Sequence, residues 1–193
     1  MARPKEFNPD EALDKAMHVF WHKGYEATSM EDLLSAMDIN RGSLYGTFGD
    51  KRELFLKAMD RYCNGMVAQK LTLLDQPGQA LDIIRRFIRG MLEMALSDQT
   101  RKGCLIANTA MELSPHEKEI GNRVARALGR VEEAYHKVLV RAKQNGELRK
   151  EQDPRALARY LTGMMQGVIV MYKAGTPAEA MRDIVETGLS IFD

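Results

Sequence analysis

The chain has 193 residues, of which 45% are hydrophobic and 28% are charged, and its formal net charge is +1 at pH 7. This composition is typical of a soluble globular protein with room for two domains, and it excludes a disordered chain. The small net charge also argues against a protein that coats nucleic acid through a general basic field. No apolar run approaches a membrane span, the first residues lack a signal-peptide core, and two cysteines cannot form a disulfide framework, so we expect a cytoplasmic location.

The first helix is predicted to begin after Asn8, which is a good N-cap. Pro9 suits the first helical position, and the carboxylates of Asp10 and Glu11 lie in the first turn, where the helix dipole favours negative charge. Apolar residues then recur at helical spacing as far as Gly24, where we expect the helix to end.

Two short helices are predicted next, and together they indicate a helix-turn-helix. Thr28 and Glu31 have the spacing of a capping box for a second helix of about ten residues. After a tight turn, Asn40 can cap a third helix in which Leu44 and Phe48 share the buried face. Two helices joined by so short a turn are typical of this motif.

The third helix is predicted to present a polar face. Its outward residues are Arg41, Ser43, Tyr45 and Thr47. Gly42 and Gly46 each weaken an isolated helix by about 1 kcal/mol relative to Ala, but a missing side chain allows the backbone to approach another surface closely. A capping box over residues 50–53 then starts a fourth helix with Lys51 in its first turn. Side chains of these types contact DNA phosphates and base edges.

The overall charge of this segment opposes a DNA-binding function. The first sixty residues contain eight Lys and Arg residues against eleven Asp and Glu residues. Affinity for DNA would therefore depend on the local placement of a few cations and on duplication of the site in a dimer.

The remainder of the chain is predicted to be helical, without strand alternation or internal repeats, so the fold class is all-α. The fourth helix is expected to run from residue 51 as far as Leu74. The later helices are predicted at roughly 79–97, 104–113, 116–146, 154–174 and 177–191. We expect residues 1–50 to form the helix-turn-helix domain and residues 51–193 to form a larger domain for effector binding and dimerisation.

The last two predicted helices are apolar on nearly every side. A helix of this kind in so small a chain must be covered on every side, and a second subunit is the simplest cover. Gly163 and Gly167, four residues apart, would permit close helix approach, whereas flanking Arg159 and Lys173 disfavour a membrane interpretation. We therefore predict a homodimer through residues 154–191 and no membrane partner.

The N-terminal motifs resemble the tetracycline-repressor (TetR) family of bacterial one-component transcription regulators. The matching segments are Phe20-Trp21-His22-Lys23-Gly24-Tyr25, Thr28-Ser29-Met30, Arg41-Gly42-Ser43-Leu44-Tyr45 and Phe48-Gly49-Asp50-Lys51. The resemblance implies an all-α protein with an N-terminal three-helix helix-turn-helix DNA-binding domain and a C-terminal helical ligand-binding and dimerisation domain. It also implies a regulator, expected to be a repressor, that binds a palindromic double-stranded DNA operator as a dimer and is released by a small-molecule, electrophile or oxidant effector.

The resemblance implies DNA contacts for eight residues. They are Thr28, Ser29, Arg41, Gly42, Ser43, Tyr45, Thr47 and Lys51. The first two would touch phosphates at the start of the second helix, and the next three would enter the major groove. Tyr45 and Lys51 would grip phosphates. Many family members carry an aromatic residue or His at the positions held here by Gly46 and Thr47, so the backbone contact there would differ.

A second resemblance concerns the segment Gly103-Cys104-Leu105, ahead of Asn108. It is similar to a subset of the family in which a cysteine at a helix start senses oxidants or electrophiles. A helix N-terminus favours the thiolate, which is the reactive form, and Lys173 would stabilise that thiolate further. The alternative interpretation, a buried and inert Cys104, stays open.

Two other classes of protein were considered. An enzyme is disfavoured because no Ser/His/acid set, metal cluster or phosphate loop appears; Glu112 and His116 lie close in sequence, but beside a predicted helix start. We therefore predict no catalytic residues, no metal and no cofactor. A helical adaptor, whose apolar last helices bind a different protein, is the remaining alternative. The sequence leaves open the effector, the operator, the regulated genes and the direction of regulation.

Overall fold

The computed structural model describes residues 7–193, and these residues form α-helices, short 3-10 and π segments and connecting turns, without a strand. The all-α prediction is confirmed. The chain divides into two compact units, one that ends at Ala68 and one that spans Gln69–Asp193. Within the described part of the chain, no helix combines the length and the hydropathy needed to cross a bilayer.

The first unit contains the predicted helix-turn-helix. Its helices are α1 (Pro9–Lys23), α2 (Met30–Met37), α3 (Arg41–Phe48) and α4 (Lys51–Tyr62). The predicted ends of α1 are confirmed, because Asn8 accepts a hydrogen bond from the Asp10 amide and Gly24 closes the helix with φ of 86°. Helix α2 has eight residues, shorter than the predicted ten, because Asp38 adopts a left-handed conformation with φ of 56°.

The capping box of α2 lies one residue beyond its predicted position. Ser29, and not Thr28, is the N-cap, and the reciprocal partner is Asp32 instead of Glu31. The physical reason is that Thr28 faces inward, where its hydroxyl donates to the Gly24 carbonyl over 2.5 Å. Ser29 is therefore the side chain in position to accept from the Asp32 amide.

Aromatic side chains hold α1 and α4 together in the first unit. Phe20 meets Phe55 edge-on with ring centroids 5.0 Å apart, and Trp21 meets Tyr62 in the same manner at 4.9 Å. At the other side of this contact, the Arg61 guanidinium forms two hydrogen bonds of 2.6 and 2.7 Å with the Asp14 carboxylate. Edge-to-face rings and a bidentate ion pair fix the relative position of the two helices.

A helical segment with a local defect continues from α4. After Tyr62 come a π turn (Cys63–Val67), the short helix α5 (Ala68–Leu71) and a 3-10 turn (Thr72–Asp75). The predicted extension to Leu74 is therefore helical but not one regular helix. The compact units divide at Ala68 and Gln69, and not at residue 50, because α4 packs against α1.

The second unit is a helical bundle that follows the five predicted helices closely. They are α6 (Ala80–Ser97), α7 (Leu105–Glu112), α8 (Lys118–Gln144), α9 (Pro154–Lys173) and α10 (Ala178–Leu189), followed by a 3-10 turn (Ser190–Phe192). Helices α6, α8, α9 and α10 share one apolar core. Ion pairs link their exposed edges, including Arg155 of α9 with Glu132 and Glu133 of α8.

The start of α6 is capped from a distant part of the chain. Gln79 gives the helix no side-chain cap, and the Glu147 carboxylate accepts instead from the backbone amides of Ala80 (3.1 Å) and Leu81 (2.9 Å). Burial opposes the charge on Glu147, but the bonds from these amides and from Asn145 together lower the pKa of its carboxyl below the ordinary 4.5. The charged carboxylate therefore stabilises the junction between α6 and the turn after α8.

We expect Glu147→Ala to lower the free energy of unfolding by about 1–2 kcal/mol, the typical value of a lost helix cap. Because the folded-state pKa is depressed, this contribution is present above about pH 4.5 and is lost as the pH falls through the folded-state pKa. Urea denaturation at pH 7 and at pH 3.5 measures both effects. The exposed Glu151→Ala is the matched control, and an equal change in both variants would contradict the capping role.

Candidate functional site

Helix α3 presents its polar face outward, as predicted. Leu44 and Phe48 are buried, and Tyr45 between them is 49% exposed. Arg41 and Gly42 are exposed in the first turn, whereas Ser43 and Thr47 are half-buried. Helical spacing places Gly42 and Gly46 at the centre of the exposed half of α3, with Arg41 and Tyr45 on one flank and Ser43 and Thr47 on the other.

Contacts at both ends hold α3 in place. At its start, Asn40 accepts a hydrogen bond of 2.8 Å from the Ser43 amide, and at its end the Lys57 ammonium donates to the Phe48 carbonyl over 2.7 Å. A Cβ at Gly46 would meet no atom of residues 7–193 within 4 Å, and one at Gly42 would meet only Asn40 Oδ1 at 3.4 Å. Packing within the described chain therefore does not require these two glycines.

The cations beside α3 already have partners within the unit. The Arg41 guanidinium lies 3.2 Å from the Glu31 carboxylate of α2, and both side chains are well exposed, at 60% and 78%. The Lys51 ammonium lies 4.4 Å from the centre of the Tyr25 ring. Each contact fixes the position of a positive charge at the start of a helix, Arg41 at the start of α3 and Lys51 at the start of α4.

The structure corrects the predicted role of Thr28. Its residue exposure is 1%, and its hydroxyl is engaged by the Gly24 carbonyl, so the side chain ties the α1–α2 turn and is not presented at the surface. Ser29 is exposed at the start of α2, where its hydroxyl accepts from Asp32. The Asp32 carboxylate accepts hydrogen bonds from the Lys23 ammonium over 2.6 Å and from the Ser29 amide over 2.9 Å, and these bonds lower the pKa of Asp32 to about 2.

The three predicted sensing residues lie around the start of α7. Cys104 is the half-buried N-cap of that helix. Buried Asn108 donates from Nδ2 to the Lys102 carbonyl over 2.9 Å and accepts at Oδ1 from the Lys173 ammonium, also over 2.9 Å. The end of α9 is thereby joined to the turn that carries the thiol.

Backbone geometry shapes the same turn. Gly103 has φ of 70°, and a Cβ there would lie 3.5–3.6 Å from Lys173 and Asn108. Tyr172, the neighbour of Lys173, donates its phenol to the Asp98 carbonyl. The segment 98–104 is therefore fixed against the end of α9, with the Cys104 thiol at the end of this turn.

Sequence reasoning missed one cation in this region. The pKa of the Lys70 ammonium is lowered, chiefly because burial disfavours its charge. The electrostatic influence of Cys104 acts in the opposite direction, and that of Lys102 acts in the same direction as burial. Lys70 therefore interacts electrostatically with both residues. Lys70 belongs to α5, 34 positions before Cys104 in the sequence. No periodicity or motif places the two together, and only the folded chain does so.

An apolar surface runs along α9 opposite its core-facing side. Exposed residues on this surface are Tyr160, Gly163, Gly167, Val170 and Met171. A Cβ at either glycine would meet no atom of the described chain within 4 Å. Gly188 of α10 packs directly against α9, because a Cβ at this position would collide with the side chains of Met164 and Tyr160.

No cluster of three or more His, Cys, Asp or Glu side chains suited to a metal ion occurs among residues 7–193. His18, one of two histidines four residues apart on α1, instead stacks on Trp21 with ring centroids 6.0 Å apart.

Comparison with known families assigns both units. Residues 12–58 match the bacterial regulatory proteins of the tetR family, and residues 80–187 match the tetracyclin repressor-like C-terminal domain. The first match contains α2 and α3 with all the groups on the polar face. The second contains α6 to α9 and most of α10, including Cys104 and the apolar surface of α9.

Individual relatives agree with these matches over nearly the full chain. The uncharacterized HTH-type transcriptional regulator YezE of Bacillus subtilis (strain 168) is 37% identical, with all of both chains covered. The HTH-type transcriptional repressor ComR of Escherichia coli (strain K12) is 30% identical, over 98% of this chain and 91% of ComR. The TetR family transcriptional regulator CifR, solved as a cysteine mutant complexed with 26-bp double-strand operator DNA, superposes with a TM-score of 0.86 at 29% identity, covering 97% and 98% of the two chains. The chain therefore belongs to the tetR family of bacterial regulatory proteins.

Proposed function

We propose that this transcriptional regulator acts as a repressor that binds a near-palindromic operator as a homodimer and leaves it when an effector binds. The observation that carries the proposal is the polar face of α3, held from both ends and opposite buried Leu44 and Phe48. The operator complex of the similar regulator CifR supports it. In a dimer, two copies of α3 would enter successive major grooves about 34–36 Å apart.

We assign base reading to the first turn of α3 and phosphate binding to its surroundings. Arg41 can donate two hydrogen bonds to a guanine edge, while exposed Gly42 allows close approach of the backbone and Ser43 adds a hydroxyl. Tyr45, Thr47 and Lys51 would bind phosphates beside the groove, together with Ser29 at the start of α2. These roles explain how a unit with more acidic than basic residues can bind DNA locally.

The two cations should differ in what they contribute. We expect Arg41→Ala to reduce the affinity for the operator more than the affinity for random DNA, because a lost bidentate base contact removes discrimination of about 1–3 kcal/mol. Lys51→Ala should weaken binding to the operator and to random DNA by the same factor, and it should reduce the slope of log K against log salt concentration by about one. Fluorescence anisotropy with both DNAs at several salt concentrations measures each effect. Equal losses on the two DNAs for Arg41→Ala would contradict the base-reading role.

We propose that the dimer forms through the apolar surface of α9, within residues 154–191. The surface contains large apolar side chains that the described part of the chain leaves exposed, which is unusual unless a partner covers them. Gly163 and Gly167 face open space, so they leave room for a helix of a second subunit. A two-fold arrangement would bring α9 and α10 of both copies into one four-helix contact.

A bulky charge on this surface should separate the subunits. We expect Gly163→Arg to convert the dimer to a monomer in gel filtration with light scattering, because the new side chain would occupy the contact without disturbing its own chain. Gly129→Arg on the exposed side of α8 is the matched control, since a side chain there also meets open space. A Gly163→Arg variant that remains dimeric would exclude this surface.

We propose the start of α7 as the site where a reactive effector acts. Cys104 is half-buried at the N-cap of α7, so a reagent can reach its thiol, and Lys102 and Lys70 add positive charge to its surroundings. Asn108 and Lys173 connect the turn before Cys104 to α9, and therefore to the proposed dimer surface. A change at the thiol would in this way affect the spacing of the two reading helices.

Modification of Cys104 should release the operator. With N-ethylmaleimide as the probe, the Cys104 sulfur bonds to one alkene carbon and a proton adds to the other, which leaves a bulky, uncharged thioether in place of the thiol. We expect treated wild type to lose at least tenfold in operator affinity and Cys104→Ser to keep its affinity. Cys63→Ser, which removes the buried cysteine, should still respond as wild type does. Release of Cys104→Ser by the same treatment would contradict the proposal.

Two further expectations complete the proposal. We propose that the protein has no catalytic activity, so a screen for hydrolase turnover with the purified protein should show none. We also propose that it resides in the cytoplasm, where its operator lies, and cell fractionation tests this location.

A further inference from the structure

We propose that Glu31 is a positioning residue for base reading: its carboxylate holds the Arg41 guanidinium at the start of α3 and lowers the affinity of the surface for non-operator DNA. The inference rests on the proposed DNA-binding function. It assigns a role in specificity to an acidic residue of α2 that is not among the eight residues for which the family resemblance implies DNA contacts.

The geometry places a negative charge where a DNA-binding surface would be expected to exclude one. Glu31 lies in the first turn of α2, and its carboxylate reaches the guanidinium at the first position of α3 over 3.2 Å. Both side chains are mostly exposed, at 78% and 60%, so neither is needed to fill the core. The pair therefore joins the two helix starts that face the groove in the proposed complex.

Glu31 takes no part in the capping box of α2, although its charge lies in the first turn of that helix. The capping box of α2 uses Ser29 and Asp32, and the Lys23 ion pair also goes to Asp32. The Glu31 carboxylate instead accepts a hydrogen bond from the Arg41 guanidinium. A substitution at Glu31 therefore leaves the N-cap of α2 intact.

Charge and hydrogen bonding then explain how the pair would raise specificity. Near a phosphate backbone, the carboxylate repels DNA of any sequence and reduces the counterion-release term that drives non-specific binding. The same carboxylate limits the rotamers of Arg41, so the guanidinium is oriented before it meets a base edge. Because a guanidinium has five N–H donors, Arg41 can donate two hydrogen bonds to guanine while it keeps the contact with Glu31. On the operator the pre-orientation of Arg41 therefore offsets the repulsion, whereas on a wrong base only the repulsion remains.

The test is a double-mutant cycle with the full-length protein. Wild type, Glu31→Gln, Arg41→Ala and the double variant are titrated with an operator selected from a random-sequence pool and with random DNA of equal length. We expect Glu31→Gln to bind random DNA about two- to fivefold more tightly, the range of an exposed ion pair, and to bind the operator with little change. The specificity ratio, which is the affinity for the operator divided by the affinity for random DNA, would then fall by the same factor. In the Arg41→Ala background, Glu31→Gln should change both affinities equally.

Control variants separate this role from a general charge effect or a loss of fold. Glu11→Gln changes the charge of the same unit equally and keeps the acceptor for Asn8, so its specificity ratio should match wild type. Urea denaturation should show a single cooperative transition for Glu31→Gln, as for wild type, with only the small loss of stability that follows from removing an exposed first-turn charge and ion pair. Glu31→Asp, which preserves the charge, should retain at least half of the wild-type ratio.

Two results would overturn the inference while leaving the proposed function intact. One is that wild type prefers the operator to random DNA and that Glu31→Gln leaves this specificity ratio unchanged. The other is a loss of ratio that persists in the Arg41→Ala background, since Glu31 would then act without Arg41. A wild type that binds both DNAs equally would instead remove the proposed function, and this inference with it.

Discussion

The architecture of the first unit depends on one constraint: α3 is too short, and too rich in glycine, to be helical by itself. An isolated helix of eight residues is unstable in water, and Gly42 and Gly46 weaken it further. Burial of Leu44 and Phe48, the Asn40 cap and the Lys57 ammonium supply what the segment lacks. The aromatic contacts between α1 and α4 then provide the rigid support for these interactions. A surface that must match a DNA groove is therefore built on packing elsewhere in the unit.

The same logic applies in the second unit, where distant residues complete local structure. Glu147 caps α6 from 66 positions away, and Lys173 and Tyr172 at the end of α9 fix the turn before Cys104. The hydrogen bonds of Tyr172 and Lys173 connect the start of α7 to α9, the helix with the exposed apolar surface. A regulator needs such a connection, because an effector acts only if it interacts differently with two arrangements of the protein.

Local signals in the sequence predicted most of the fold, and tertiary contacts account for the differences. The Asn8 and Asn40 caps, the box at Asp50 and the buried pair Leu44 and Phe48 depend on residues within one or two turns, so spacing was sufficient. The capping box of α2 lies one residue beyond the predicted position because the Thr28 hydroxyl bonds to Gly24 at the end of α1, a contact that residue spacing does not reveal. Two further contacts connect residues of different helices: the electrostatic interaction of Lys70 with Cys104 and the ion pair of Glu31 with Arg41. No short-range pattern encodes them.

The central claim is that α3 reads a DNA sequence in spite of the acidic balance of its unit. The most direct measurement is anisotropy of labelled DNA from the protein's own promoter region, titrated with wild type at two salt concentrations in the presence of excess random DNA. We expect tight binding that survives the competitor, with two chains on each site. Binding that random DNA abolishes at both salt concentrations would contradict it, because the few cations around α3 would then supply only non-specific attraction.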